Sequence, residues 1–212
     1  MQENQYFAAI LLNGGQSQRL GMDKSGLTLD GLPLAAENFQ RWQGLFADII
    51  IVGKEIPLPE SAVTVQDIFP GSGPLAGVHA GLTASRRPYN LAVACDMPLI
   101  PRDLIRRLLR EALQSRAEIV ACRSAGGKIQ PVCAVYAQSC RDKAADLLRR
   151  GKRSLMALFD ICQCRYVDTA QELFNINTPA DAARFAALHP QRRLNYPPDA
   201  EGLDETAEKK TE

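Results

Sequence analysis

An apolar run that opens into two adjacent glycines, followed by spaced cations, is the most constraining feature of this chain. It spans residues 7–24, FAAILLNGGQSQRLGMDK. The apolar part, residues 7–12, suits a buried strand. Asn13-Gly14-Gly15 then removes side chains where the backbone must turn sharply. A strand that opens into a glycine turn exposes several backbone N–H groups together, and such a nest attracts an anion, most often a phosphate. Arg19 can fork onto phosphate oxygens and Lys24 supplies a compact positive charge, with Gly21 and Asp23 between them. A surface turn with solvated charges is the plainer alternative. Two familiar phosphate loops are excluded. A Walker loop needs Lys-Ser/Thr directly after its last glycine, and here Met22-Asp23 intervenes before Lys24. A dinucleotide fingerprint needs Gly-x-Gly-x-x-Gly, and here the glycines are adjacent with the next one six residues on.

The chain downstream alternates apolar strands with helical segments. Residues 34–46 carry helical spacing. Residues 48–52, DIIIV, form a continuous apolar strand, and residues 63–68, VTVQDI, a short one with Asp67 near its end. A glycine-rich loop holding Gly73-Pro74 precedes a helix of small residues over 75–85. Residues 90–95, NLAVAC, form a third apolar strand that delivers Asp96, and an amphipathic helix follows over 102–115. This β-α-β-(β)-α-β-α pattern predicts an α/β fold with a mostly parallel sheet wrapped by helices. Ligands of such sheets bind beyond the carboxyl ends of the strands, where the glycine loop, Asp67 and Asp96 all fall.

The second half is less regular. Strands are expected at 118–122 and 129–136, with Pro131 forcing an edge or a bulge. Helices follow at 138–150 and 154–159, then a last strand at 164–167. Thr178 is placed as an N-cap, with Pro179 as first helical residue and Asp181 as third. Residues 190–212 are polar and charged, which predicts a disordered tail behind a single folded domain over 1–189.

Composition removes several functional classes. With 212 residues and 46% hydrophobic content, one α/β domain with a full core is expected. A net charge of +1 speaks against an electrostatic nucleic-acid binder. No apolar run approaches the ~20 residues of a membrane helix. MQENQ is unlike a signal peptide, so a cytoplasmic location is expected. The six cysteines form no Cys-x-x-Cys pair, and with two histidines no zinc spacing exists; reduced thiols in a reducing compartment are expected. Cys162 and Cys164 flank Gln163, and the pattern gives them no role.

Asp96 follows a buried strand and precedes Met97-Pro98, so its carboxylate should project from the sheet edge, where it can hold Mg²⁺ or merely cap the turn. Asp67 can meet a ribose, a base or a metal-bound water, or cap its own turn. A cation and a metal-holding acid around one phosphate nest is what nucleotidyl transfer needs: Lys24 and the metal would offset charge growing on the α-phosphate and the leaving pyrophosphate. Arg19 can grip phosphates or face solvent. Asn175 and Asn177 alternate with Phe174 and Ile176, so both amides share one side of an extended segment. His79, in a small-residue helix, reads as a packing residue, and no Ser-His-Asp or Cys-His set is evident.

These residues resemble a known family. LLNGGQSQRLGMDK is similar to the LAGGxSxRMGxDK signature of small nucleotidyltransferases that act on the molybdenum cofactor. The likeness continues through GPLAG at 73–77, CDMP at 95–98, QPVCAVY at 130–136 and FNINTP at 174–179, and so covers about residues 6–188. The pattern looks most like the molybdenum-cofactor guanylyltransferases. The resemblance implies a Rossmann-like, nucleotide-diphospho-sugar-transferase-type three-layer α/β/α sandwich. The implied reaction takes GTP and the molybdopterin cofactor to the guanine dinucleotide cofactor and pyrophosphate. Leu12, Asn13, Gly14, Gly15 and Lys24 would hold GTP beside the Gly73-Pro74 wall. Asp67 and Asp96 would bind the nucleotide, with Asp96 on Mg²⁺. Arg19, Gly21, Asn175 and Asn177 would lie toward the phosphates and the pterin. A monomer is expected, with acceptor molybdoenzymes or their chaperones as partners. Two departures stand out. Asn13 replaces the usual alanine of the loop and brings a side chain into the site. Val52-Gly53 stands where some members end the second strand in asparagine. A cytidylyltransferase for the same pterin, a sugar-phosphate nucleotidyltransferase, a nucleotide-binding regulator and a nicotinamide oxidoreductase remain as alternatives.

Overall fold

The computed structural model describes residues 3–14, 28–42, 44–55, 62–171 and 173–195. Its elements in chain order are a 3₁₀ turn (Glu3–Tyr6), β1 (Phe7–Asn13), β2 (Thr28–Leu29), β3 (Leu32–Pro33), α1 (Leu34–Arg41), β4 (Asp48–Gly53), β5 (Ala62–Val65), α2 (Gly73–Ala84) and β6 (Tyr89–Ala94). There follow α3 (Arg102–Ser115), β7 (Ile119–Ser124), β8 (Ile129–Ala137), α4 (Cys140–Arg149), α5 (Met156–Phe159), β9 (Cys164–Thr169), α6 (Pro179–Leu188) and β10 (Leu194–Asn195).

Strand β1 is buried along its whole length, as a strand covered on both faces must be. Its side chains alternate between two cores. Phe7, Ala9 and Leu11 join Trp42, which caps α1, and Ile105 and Leu108 of α3 on one face. Ala8, Ile10 and Leu12 join Leu75, Val78 and Leu82 of α2 and Leu148 of α4 on the other. The expected three-layer arrangement follows directly from that period of two.

The main sheet runs β5-β4-β1-β6-β8-β7-β9. The pairs β1–β4, β1–β6, β4–β5 and β7–β9 are parallel. Strand β8 is antiparallel to both its neighbours, so the sheet is mixed though mostly parallel. Pro131 falls in a bulge: Ala121 pairs with Ala134 but Cys122 pairs with Gln130, which leaves 131–133 without partners on β7. The Tyr136 hydroxyl donates to the Pro131 carbonyl there at 2.6 Å.

The chain travels outward from β1 to β4 and β5, then returns through α2 to lay β6 on the other side of β1. That reversal opens a crevice at the carboxyl ends of β1 and β6. Helix α2 can lie close to the sheet because Gly81 leaves room for Ile10, whose side chain any added Cβ would overlap.

A small sheet, β10-β2-β3, sits beside this body over an apolar cluster of Leu29, Leu34, Ile176, Ala182 and Phe185. It corrects the expected tail boundary at residue 190. Leu194 and Asn195 pair with Leu29 and Thr28, and Arg192 bonds both Asp30 and Glu37. Polar composition hid this: the segment is held by backbone pairing, ion pairs and the single apolar contact of Leu194 with the cluster. Residues 196–212 lie outside the described residues. Two other expectations also shift. Helix α1 ends at Arg41, short of residue 46, and β5 ends at Val65, so Asp67 stands in the loop after the strand.

Candidate active site

Three connections build the crevice floor. Strand β1 ends at Asn13, level with Gly53 of β4, while Leu12 is level with Ala94 of β6. The turn after β6 carries Asp96, and three separate elements hold it. The Cys95 N–H donates to the Leu12 carbonyl at 3.1 Å, and the Ile176 N–H donates to the Asp96 carbonyl at 2.9 Å. Asn38 of α1, fully buried, donates from Nδ2 to the Met97 carbonyl at 2.7 Å. Leu99, two residues later, takes a left-handed conformation at φ 58°, an uncommon choice for a bulky residue. The turn is thus fixed in place, as a site that must hold a ligand without reorganising requires.

The bond from Ile176 to Asp96 brings the segment that carries Asn175 and Asn177 to the Asp96 turn. The following helix start is rigid. Thr178 accepts from the Asp181 N–H at 3.1 Å, while the Asp181 carboxylate accepts from the N–H groups of Thr178 at 2.8 Å and Asn177 at 3.0 Å. This is the expected capping box with Pro179 as first helical residue. The Asn175 side-chain oxygen is buried with no hydrogen-bond partner among the described residues.

Asp67 reaches the same region from the other side. A Cβ placed on Gly77 would sit 3.9 Å from its Oδ1 and 3.0 Å from the Leu12 side chain, so Asp67 lies by the β1 end under α2. Its Oδ1 is also buried and unpartnered among the described residues. Burial raises its carboxyl above the ordinary range. A buried acceptor without a donor costs free energy unless something supplies one, and two such oxygens border this crevice. The side-chain oxygens of Asp67, Asp96 and Asn175 fit a hard cation such as Mg²⁺ or the hydroxyl groups of a nucleotide. Gly73 and Pro74 open α2 one turn before Gly77, and Gly73 takes φ +73° with its open side toward Arg153.

Asn13 differs from the expectation. Its side chain is buried and donates to the Lys54 carbonyl at 2.8 Å, while the Lys54 N–H donates back to the Asn13 carbonyl at 3.1 Å. The amide clamps β1 to the end of β4 and is spent on that contact. Gly53 makes the clamp possible: at φ +109°, a Cβ there would lie 2.5 Å from the Asn13 oxygen. Leu12, Asn13, Gly14, Asp67, Asp96 and the segment carrying Asn175 and Asn177 are therefore gathered at the carboxyl ends of β1 and β6, with Gly73 and Pro74 at the start of α2 one turn before Gly77. Gly15, Arg19, Gly21 and Lys24 lie outside the described residues. Asn38 and the clamping role of Gly53 escaped the sequence reading; the one available signal for Asn38 was its buried i+4 position between Leu34 and Trp42.

The family model described as "MobA-like NTP transferase domain" matches residues 9–168, well over half of the chain. The chain belongs to the MobA-like NTP transferase family. One relative, a molybdenum cofactor guanylyltransferase of Vibrio cholerae, is 33% identical over 188 residues, covering 85% of this chain and 92% of that protein. The molybdopterin-guanine dinucleotide biosynthesis protein A of Archaeoglobus fulgidus superposes with TM-score 0.73 at 22% identity, over 87% of this chain and 99% of that one. A 2-C-methyl-D-erythritol 4-phosphate cytidylyltransferase of Thermus thermophilus shares the fold at TM-score 0.66 and 19% identity, over 85% of this chain and 98% of that one. The MobA-like family match spans β1 through most of β9, and so includes both the Asp67 loop and the Asp96 turn.

Proposed function

We propose that this chain transfers GMP from GTP to the molybdopterin form of the molybdenum cofactor, releasing pyrophosphate. The observation that carries the reading is the Asp96 turn, tied to Leu12 on one side and to Ile176 on the other at the sheet's point of reversal. The names of the relatives support the substrates. An oxygen of the acceptor attacks the α-phosphorus of GTP, and the bond from that phosphorus to the pyrophosphate oxygen breaks. No covalent protein intermediate is needed, so the chain's task is positioning and charge.

In this reading the backbone of 12–15 holds the triphosphate, with Lys24 and Arg19 offsetting its charge. Asp67 accepts from a nucleotide hydroxyl or a bound water, which gives its unpartnered oxygen a donor. Asp96 would hold Mg²⁺, with Asn175 toward its water shell, and the ion would supply positive charge against the phosphates. Gly21 is assigned toward the phosphates and the pterin by the family resemblance. Asn175 and Asn177 orient the pterin, and Gly73-Pro74 forms the wall beside the nucleotide. Among the described residues no helix is long and apolar enough to cross a membrane. A cytoplasmic monomer that passes its product to acceptor molybdoenzymes or their chaperones completes the proposal.

Val52-Gly53 lacks the asparagine that some members place near the base, which keeps a cytidylyl transfer to the same pterin as the second reading. One assay separates the two. Pyrophosphate release is measured with purified molybdopterin cofactor and each of the four nucleoside triphosphates. Release with GTP, dependent on the pterin, is expected. Preference for CTP would favour the second reading, and tight GTP binding with no pyrophosphate from any acceptor would reduce the chain to a nucleotide-binding regulator.

A further inference from the structure

Strands β6, β8, β7 and β9 share one level at Asn90, Tyr136, Ile119 and Cys164. That level is the amino end of β6, so the groups beyond it lie at the edge of the sheet away from Asp96. Three of the six cysteines gather there. Cys140 opens α4, Cys162 stands in the turn after α5, and Cys164 begins β9. The Cys140 and Cys162 sulfurs are 3.9 Å apart. Cys140 is fully buried, whereas Cys162 is partly exposed.

The surroundings divide the labour between these thiols. Cys164 points its S–H at backbone carbonyls, those of Cys162 at 3.4 Å and Phe159 at 3.6 Å, and is thereby occupied. Lys143 donates to Glu118 at 2.8 Å and to the Ile161 carbonyl at 3.4 Å, which keeps its ammonium next to Cys162. The Cys162 thiol lies below its ordinary range, mainly through the hydrogen bond it shares with Cys140 and with help from the Lys143 ammonium, against burial and the Glu118 carboxylate beside it. The buried Cys122 and Cys133 thiols are pushed the other way by desolvation, Cys122 to about 11.

We propose that Cys162 and Cys140 form a peroxide-responsive thiol pair, with Cys162 attacked first and Cys140 resolving it to a disulfide. The Cys162 thiolate attacks one oxygen of a hydroperoxide. The O–O bond breaks, the departing oxygen takes a proton and leaves as water or alcohol, and Cys162 becomes a sulfenic acid. The Cys140 sulfur then attacks the Cys162 sulfur, the S–O bond breaks, and water leaves with the Cys140 proton. The two thiols lose two electrons and the peroxide gains them. In a reducing compartment such a bond is transient, made by oxidant and reversed by a dithiol. The inference stands apart from the proposed transferase reaction, because none of these side chains borders the crevice.

The test uses the full-length chain, reduced, then exposed to equimolar hydrogen peroxide and quenched by alkylation. Tryptic residues 129–141 and 154–165 should appear joined, with fragmentation placing the bond between Cys140 and Cys162. Cys162 should be alkylated or oxidised at least ~10-fold faster than Cys122. In the Cys140→Ser variant, dimedone should trap a sulfenic acid on Cys162; in Cys162→Ser, none should form on Cys140. The mapping of the unaltered protein decides the matter even if a variant fails to fold. The proposal fails if Cys162 reacts no faster than Cys122, or if the bond joins Cys162 to Cys164 or to another molecule. It also fails if the thiols are protected by stoichiometric zinc instead.

Discussion

Two carboxylates at opposite ends of the same sheet show how position decides chemistry. Asp67 is half-buried at the carboxyl end of the parallel strands, and one of its oxygens finds no donor among the described residues. Glu118 is half-buried at the other end and is fully engaged: Ser139 at 3.0 Å, Lys143 at 2.8 Å and the Gln163 N–H at 3.2 Å. Burial raises both. For Asp67 nothing opposes it, and the carboxyl sits above its ordinary range. For Glu118 the three donors outweigh it, and the carboxyl sits below. The satisfied acid stabilises the fold. The unsatisfied one is a standing cost that a ligand would relieve, and the turn that carries Asp96 lies at its end of the sheet.

The comparison is broken most forcefully at Asp96. Asp96→Ala should lower GTP-dependent pyrophosphate release by ~10³-fold or more, with the circular dichroism spectrum unchanged. Full activity in that variant would remove the metal role. Next, Gly53→Ala should cost about 3 kcal/mol or more of stability in denaturant titration, since its backbone is left-handed and the new methyl meets the Asn13 carbonyl.

Asp67→Asn should lower kcat/KM for GTP ~10- to 100-fold while raising the midpoint of thermal unfolding at neutral pH. The sign follows from the raised carboxyl. The folded protein holds the proton more tightly than the unfolded chain, so the cost of the charge is present at neutral pH. It fades as pH falls through the raised value toward the ordinary 3.8. The stabilising effect of Asp67→Asn should therefore vanish on acidification.

Glu118→Gln should behave oppositely: activity retained, and stability reduced by ~1 kcal/mol at neutral pH, its ion pair with Lys143 being partly exposed. Its contribution is present above the unfolded value of 4.5 and is lost as pH falls through the lower folded value. Equal unfolding curves for Asp67→Asn and Glu118→Gln across pH would abolish the contrast. The smallest effect belongs to Asn13→Ala, which restores the loop's usual residue. It should cost ~0.5 kcal/mol by taking the Asn13 amide from the Lys54 carbonyl, with kcat within a few-fold of the parent.

The site was legible where a single stretch of chain carries its own signal. An apolar run that stops at a polar residue marks a strand end, which is why Asn13 and Asp96 could be set on one edge before any coordinates. The Thr178–Asp181 cap was legible for the same reason: its hydrogen bonds are local. Contacts between distant segments were not. Nothing near Asn38 announces that its amide will meet the Met97 carbonyl 59 residues away. Nothing near Gly53 announces that β4 will press against Asn13. The direction of β8 was equally hidden, because an apolar strand reads alike in either orientation. The side chain of Asn13 was assigned to the crevice on sequence grounds and belongs instead to a strand clamp, a difference only the neighbouring carbonyl reveals.

Strand β10 has a practical side. Shortening the chain to residue 189, as its composition invites, would remove one of the two backbone partners of Thr28–Leu29 and take Arg192 from Glu37, whose carboxylate would keep only Arg41 among the described residues. Thr28 is where the chain emerges from the stretch that holds Arg19 and Lys24. A deletion that looks like harmless trimming would thus loosen the anchor of the segment to which the proposed function assigns phosphate capture.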